Sequence, residues 1–194
     1  VVRGYKKEAV NLPNLTYIDN LEFAETGELA SLSQALQSRK GRFQPTIVSY
    51  GDVLFNKYIP QALCQEQDDC VIFVDSNWRD QSSYARLGGF AECSIPNSRK
   101  AFNAKIHLKQ LGKTLPEESI HGVWMGFLKL SSSAASQVND LLLDMLADPA
   151  NRRAGIPQLV QALLKQDVPV RVLYTVGHWL DVNSLEDVVQ AGNF

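Results

Sequence analysis

Three aspartates follow apolar segments of the sequence, where a carboxylate can hold a cation. Asp52 and Asp75 come directly after such segments, and Asp181 lies in the C-terminal stretch 177–182. Carboxylate oxygens are the ligands that Mg²⁺ prefers, and Mg²⁺ often shares its coordination with substrate phosphates. Two of these acids from distant strands would therefore suit phosphate chemistry. Asp is also a favoured capping and turn residue, so each of the three has a structural alternative.

The elements that must position these acids alternate along the chain. Strands are predicted at 16–18, 45–50, 70–74, 123–130 and 168–174, and helices at 28–38, 56–66, 133–146, 156–165 and 184–191. Buried apolar strands alternating with helices indicate a largely parallel α/β sheet. Ligands of such sheets bind outside the carboxyl ends of the strands, which is where the three aspartates stand.

Local signals set the helix boundaries and the domain organisation. Thr26 is placed to cap the helix at 28–38, and Ser184 with Asp187 has the spacing of a capping box for the last helix. Residues 79–118 are less regular and predict an antiparallel excursion or insertion beside the main sheet. With no internal repeat or linker, residues 1–194 are predicted to form one domain.

Other polar and aromatic residues allow two interpretations each. Glu28 opens a helix and offers a carboxylate for a ligand hydroxyl or amine, although a capped helix explains it almost as well. Trp179 can line a pocket, although aromatic residues at such places more often belong to the core. The histidines show no metal-ligand spacing and favour structural roles; they are His107, His121 and His178.

Composition excludes several classes of protein. The chain has 194 residues, with 19 Lys plus Arg against 21 Asp plus Glu and a net charge of −2. A polybasic nucleic-acid binder would need a surplus of cations. No apolar stretch reaches the roughly 18 residues of a membrane helix, and no signal peptide opens the chain. Three cysteines without CxxC spacing predict free thiols in a reducing, cytoplasmic compartment.

The first residues suggest that the native polypeptide begins further upstream. Val1 opens the chain without an initiator Met, inside a segment that resembles a strand running into the turn at Gly4. Domains rarely begin at such a point, so we expect an N-terminal portion to precede Val1.

Taken together and in order, five segments resemble the nucleotidyltransferases that activate sugar phosphates and phosphocholine. The segments are 1–8, 26–32, 49–55, 124–129 and 177–182. They are most similar to the cytidylyltransferase-type domain fused behind phosphoenolpyruvate phosphomutase in phosphonate biosynthesis. The resemblance implies a three-layer α/β/α, Rossmann-like fold with a mostly parallel mixed sheet. It also implies that the fold's first strand and its glycine-rich nucleotide loop have no counterpart in this chain.

The resemblance assigns roles to particular acids. In that family, the Asp of a Gly-Asp motif and an Asp near the end of the domain hold the catalytic Mg²⁺, and by motif these fall on Asp52 and Asp181. We expect the two carboxylates to converge on one face. Asp75 matches a segment of the phosphocholine-activating relatives, which implies a place in the substrate pocket.

The implied reaction is nucleotidyl transfer from CTP to a small phosphonate such as 2-aminoethylphosphonate, with release of pyrophosphate. Arg3 and Lys129 are candidate cations for the acceptor, as are Lys7 and Lys105. Glu28 or Asp75 would pair an acceptor ammonium, and Trp179 would add a cation–π contact. A sugar phosphate or phosphocholine acceptor remains open. So do a non-catalytic binding module, an upstream phosphomutase domain and a homo-oligomer.

Overall fold

The computed structural model describes residues 1–80, 89–101, 104–192 and 194. Its strands are β1 (Val2–Arg3), β2 (Ile18–Asp19), β3 (Thr46–Ser49), β4 (Val53–Phe55), β5 (Cys70–Asp75), β6 (Phe90–Cys93), β7 (Leu108–Gly112), β8 (Gly122–Leu130), β9 (Val170–Thr175) and β10 (Trp179–Asp181). Its α-helices are α1 (Glu28–Gln37), α2 (Tyr58–Gln65), α3 (Ser132–Ala147), α4 (Ile156–Lys165) and α5 (Leu185–Ala191).

The described residues form two compact units. Val1–Gln44 and Ser132–Val160 make up the first unit, and Pro45–Ser131 with Gln161–Phe194 make up the second. In the first unit β1 pairs in parallel with β2, and α1 packs against α3. The packing faces are apolar at helical spacing, with Leu29, Leu32 and Leu36 buried on α1 and Ala135, Val138 and Leu142 buried on α3.

A mixed sheet dominates the second unit. Its strands lie in the order β7-β6-β8-β5-β9, and β3 also pairs with β8. Within the described ranges, four of the six strands run in one direction and β7 and β8 run in the other. A mostly parallel sheet was predicted from the sequence, whereas the antiparallel direction of β8 was not. All nine residues of β8 are buried, and the strand pairs with neighbours on both sides.

The register of β8 contains one irregularity, which gives Gly126 a specific task. Ile72 pairs with Leu128 but Val74 pairs with Trp124, so β8 has two extra residues between these positions. Gly126 adopts φ +82°, a conformation that L side chains rarely adopt. A Cβ there would lie 2.6 Å from the ring of Tyr50. Glycine therefore allows β8 to bulge while staying packed.

A second, two-stranded sheet packs against one face of this unit. β4 pairs with β10 in antiparallel fashion, with Val53 opposite Asp181 and Phe55 opposite Trp179. Val53 and Trp179 belong to an apolar cluster that also contains residues of α2, β5 and β8, namely Ile59, Leu63, Val71, Phe73, Val123, Met125 and Phe127. Burial of this cluster fixes the β4–β10 pair in the fold.

Several local predictions can be compared with the structure. The capping box is confirmed, since Ser184 Oγ accepts from the Asp187 amide and the Asp187 carboxylate accepts from the Ser184 amide. The predicted cap at Thr26 is wrong, because Gly27 is the N-cap residue of α1. The Thr26 hydroxyl instead donates to the carbonyl oxygen of Glu22 at 2.9 Å.

The irregular region predicted at 79–118 contributes strands to the main sheet. β6 pairs with both β7 and β8, so these strands extend the sheet and do not stand beside it. Residues 81–88 and 102–103 of this region lie outside the described residues. In the part of the chain that is described, no helix is long and apolar enough to cross a membrane.

Candidate active site

The pairing of β4 with β10 brings the main chains of Asp52 and Asp181 side by side. Asp181 lies opposite Val53, and the amide of Val182 donates to the carbonyl oxygen of Asp52 at 2.8 Å. The two aspartates are 129 positions apart in the sequence. Their adjacency is thus a product of the fold and of the register of this strand pair.

The two carboxylates differ in their surroundings. Directly paired residues of an antiparallel ladder point to the same face, and Asp181 is buried beside Val53, with 7% of its surface exposed. Asp52 is exposed and lies in the turn that leads into β4, before the regular alternation of the strand begins. The convergence of the two carboxylates on one ion stays a prediction, with adjacent main chains as its structural basis.

Asp75 is fully buried at the end of β5, where its carboxylate accepts hydrogen bonds from Asn77, Gly177 and Trp179. Oδ1 accepts from the amides of Asn77 at 2.9 Å and Gly177 at 3.2 Å. Oδ2 accepts from the indole nitrogen of Trp179 at 2.8 Å. Such N–H donors hold a buried carboxylate in place, because an unsatisfied buried charge is costly. The structure therefore joins two of the predicted site residues, Asp75 and Trp179, to each other.

The turn between β9 and β10 has an unusual backbone that several hydrogen bonds hold. Gly177 and His178 have φ values of +67° and +66°, both in the left-handed region. At the start of the turn, Thr175 Oγ1 and Tyr58 Oη are 2.5 Å apart. At its end, the His178 carbonyl accepts from the Asn56 amide at 3.0 Å. Sequence analysis missed Tyr58 and Thr175, since nothing in the local pattern pairs residues 117 positions apart.

Lys129 is a buried cation of β8 that binds main-chain oxygens. Its ammonium donates to the carbonyls of Glu66 at 3.1 Å and Asp68 at 2.6 Å, and 7% of the residue is exposed. It pairs with Val71, four residues before Asp75 on β5, which corresponds to roughly 13 Å along the strand. These contacts give Lys129 a structural task in holding the chain before β5.

Arg3, the second predicted cation, also has partners within its own unit. Its Nε donates to Asp19 Oδ1 at 2.8 Å, and Nη1 donates to the Val10 carbonyl at 3.0 Å. The guanidinium lies 4.1 Å from the ring centroid of Tyr17. Lys7 completes the cluster, with its ammonium 3.0 Å from Asp19 Oδ2. Arg3 therefore organises the segment between β1 and β2.

Glu28, although exposed, serves the start of another helix. Its Oε2 accepts from the amide of Ile156, the first residue of α4, at 2.8 Å. The first amides of a helix lack partners inside the helix, so this carboxylate satisfies one of them. A capping role was the structural alternative for Glu28 in the sequence. The structure shows such a contact, and the helix that Glu28 caps is α4.

The histidines have packing or main-chain partners. His121 Nδ1 accepts from the Cys93 amide at 3.1 Å, and the His178 ring lies edge-on to Tyr58, with centroids 5.7 Å apart. Throughout the described ranges, no group of three or more His, Cys, Asp or Glu residues is arranged to hold a metal ion.

Solved structures share this architecture. An inositol-1-phosphate CTP transferase from T. maritima matches with a TM-score of 0.66 and 14% identity, over 96% of this chain and 70% of that one. The fold is that of the nucleotidyltransferases. A UDP-glucose pyrophosphorylase in complex with UDP-glucose matches equally well, at 0.66 and 14%, over 92% of this chain and 64% of that one.

A third nucleotidyltransferase structure has the same fold. The CTP:phosphocholine cytidylyltransferase from Streptococcus pneumoniae matches with a TM-score of 0.61 and 11% identity, over 92% of this chain and 68% of that one. The chain therefore spans about two thirds of the length of these nucleotidyltransferases. No protein-family model and no curated protein matches the sequence. The fold class predicted from the sequence is confirmed.

Proposed function

We propose that this chain belongs to an enzyme that transfers a nucleotidyl group to a small phosphate- or phosphonate-bearing acceptor. An acceptor oxygen attacks the α-phosphorus of a nucleoside triphosphate, the bond to the bridging oxygen breaks, and pyrophosphate leaves. The observation that carries the proposal is the β4–β10 pair, which sets the main chains of Asp52 and Asp181 side by side in a nucleotidyltransferase fold.

The donor set at this pair fits Mg²⁺. Asp52 and Asp181 supply hard oxygen ligands, and one or two carboxylates completed by phosphate oxygens and water are a common arrangement for this ion. A bound Mg²⁺ would offset the charge that develops on the phosphate oxygens. Asp181, being buried, would keep one ligand fixed, while the exposed Asp52 is accessible to substrate from solvent.

For the substrates, we propose CTP with 2-aminoethylphosphonate, following the sequence resemblance. Two structures of the same fold are named as CTP enzymes, one acting on inositol 1-phosphate and one on phosphocholine. A sugar phosphate or phosphocholine acceptor has equal support from these structures. The same resemblance leads us to propose a phosphomutase domain upstream in the native protein.

A pyrophosphate-release assay on the full-length native protein tests this proposal. It pairs CTP, UTP or dTTP with 2-aminoethylphosphonate, phosphocholine, glucose 1-phosphate or inositol 1-phosphate, in the presence of Mg²⁺. We expect release that depends on the acceptor and is lowered about 10²–10³-fold by Asp52→Asn. The matched control is Asp144→Asn, an exposed carboxylate of α3, which should leave the rate unchanged.

The same pairs of nucleotide and acceptor also distinguish between the competing functions. Release with one acceptor alone would assign the substrate, and a preference for phosphocholine or a sugar phosphate would replace the phosphonate. Nucleotide binding without pyrophosphate release from any pair would refute the transferase and support a non-catalytic binding module.

A further inference from the structure

Two of the donors that bind the Asp75 carboxylate belong to β10 and the turn before it. Gly177 lies in the turn before β10, and Trp179 is the first residue of that strand. Asn77, the third donor, belongs to the segment that follows β5. Asp75 has none of its surface exposed, so its carboxylate is closed to an acceptor from solvent in this structure.

Trp179 connects this carboxylate to Asp181. The two residues are separated by one position on β10, so their side chains point to the same face of the strand pair, and both are buried. The bond from the Trp179 indole to Asp75 Oδ2 therefore fixes the strand that carries Asp181 against the end of β5.

The turn before β10 needs such an anchor. His178 is a non-glycine residue with φ +66°, and it directly follows Gly177 at φ +67°. Left-handed non-glycine residues are strained and persist where the surroundings hold them. The bond from the Gly177 amide to Asp75 Oδ1 acts at this point, together with the contact of Thr175 with Tyr58.

We propose that Asp75 is a positioning residue of the nucleotidyl-transfer site. Its buried carboxylate holds the left-handed turn and Trp179, and through them sets the position of the Asp181 carboxylate without contacting the acceptor. This inference rests on the proposed function, because it concerns how Asp181 is held for that reaction.

The test replaces the oxygen of Asp75 that accepts from the Trp179 indole with a donor group. In Asp75→Asn, an amide that keeps its oxygen toward the Gly177 amide turns its NH₂ toward the Trp179 indole, so two donors face each other. Trp179→Phe removes the indole N–H and relieves that conflict. The double variant should therefore be more active than Asp75→Asn alone. Trp124→Phe is the matched control, since its indole donates to the Phe127 carbonyl and does not meet Asp75.

Three readouts separate a positioning role from acceptor binding. We expect Asp75→Asn to lower kcat about 10–100-fold and to raise the Mg²⁺ concentration for half-maximal rate, with acceptor KM changed less than about twofold. Electron paramagnetic resonance with Mn²⁺ alone should show correspondingly weaker binding of the metal. Adding Trp179→Phe should recover at least about half of the lost kcat on a logarithmic scale, whereas adding Trp124→Phe should recover none.

The other possible outcomes contradict the positioning role of Asp75, the proposed function, or both. A raised acceptor KM with unchanged kcat, and no recovery in the double variant, would mean that Asp75 contacts the acceptor. Wild-type-like kcat and Mg²⁺ dependence in Asp75→Asn would also overturn the inference, while the proposed function would stand. An inactive native protein would refute both. Should Asp75→Asn not fold, Trp179→Phe alone decides, through a raised Mg²⁺ requirement at unchanged acceptor KM.

Discussion

The amide of Val182 donates to the carbonyl oxygen of Asp52 at 2.8 Å, across 130 positions of sequence. This bond continues the ladder of β4 and β10 by one step beyond Asp181. The candidate metal ligands are therefore held by the main chain of a strand pair, so that conservative changes of their side chains should leave the framework intact.

If Asp52 and Asp181 hold one ion, the effects of their substitutions on activity should not be additive. Asp52→Asn and Asp181→Asn should each lower kcat/KM for pyrophosphate release about 10²–10³-fold, and the double variant should be close to the worse single variant. Steady-state kinetics at several Mg²⁺ concentrations measure this. Losses that multiply in the double variant would show that the two carboxylates act independently.

The elements of the fold were largely predictable from the sequence, because their signals are local. The apolar segments of β5 and β8 and the capping box of Ser184 and Asp187 are visible in single windows of sequence. The antiparallel placement of β8 was not predictable, since it depends on pairing with β3, β5 and β6. The direction of a strand within a sheet depends on the strands it pairs with, which are distant in the sequence.

In the candidate site, too, the residue types could be predicted from the sequence, but the contacts between distant residues could not. Asp52, Asp75 and Asp181 could be selected because acids at strand ends are visible in the sequence. The burial of Asp75 could not be foreseen, because two of its donors, Gly177 and Trp179, are 102 and 104 positions away. The cap that Glu28 provides to Ile156 spans 128 positions and was hidden for the same reason.

Gly126→Ala should destabilise the protein. The left-handed φ of +82° costs an L residue about 1–2 kcal/mol, and the added Cβ would press on the ring of Tyr50 at 2.6 Å. Thermal unfolding should show a Tm lowered by several degrees. Gly51→Ala is the control, because nothing lies within 4 Å of its added Cβ, and equal Tm values for both variants would contradict this account.

Glu28→Ala should lower the free energy of unfolding by about 1 kcal/mol, because the Ile156 amide loses its acceptor. Glu28→Gln keeps an acceptor oxygen and should retain most of that stability. Urea unfolding compares both with Glu8→Ala, an exposed glutamate. A raised acceptor KM in Glu28→Gln at unchanged stability would instead place Glu28 at the acceptor.

Thiol titration should find one reactive cysteine in the native protein. Cys64 is exposed, whereas Cys70 and Cys93 are buried, and burial raises the pKa of each buried thiol to about 11. Because the thiolate is the nucleophile, these two should react slowly at pH 8. A disulfide reagent should modify one thiol per chain, and three after denaturation. Fast reaction of two or more native thiols would contradict the burial described here.

Asp19 should contribute stability that disappears in acid. Hydrogen bonds from Arg3 and Lys7 lower the pKa of its carboxyl below the ordinary value of 3.8. A lowered pKa means that this contribution is present above pH 3.8 and is lost as the pH falls through the folded-state pKa. Asp19→Asn should therefore have a lower Tm than the wild type at pH 7, with the difference closing in acid. Asp144→Asn, which removes an exposed carboxylate of α3, is the matched control.

The pairing of β4 with β10 also sets when the site can exist during synthesis. Val53–Phe55 are synthesised 124 or more positions before Trp179–Asp181, so β4 cannot pair with β10 until the residues through Asp181 have left the ribosome. A nascent polypeptide then has Asp52 but no neighbouring carboxylate, and it cannot assemble the proposed cation site. The proposed cation site would therefore form only after β10 has been synthesised, and a chain that terminates before Asp181 would never form it.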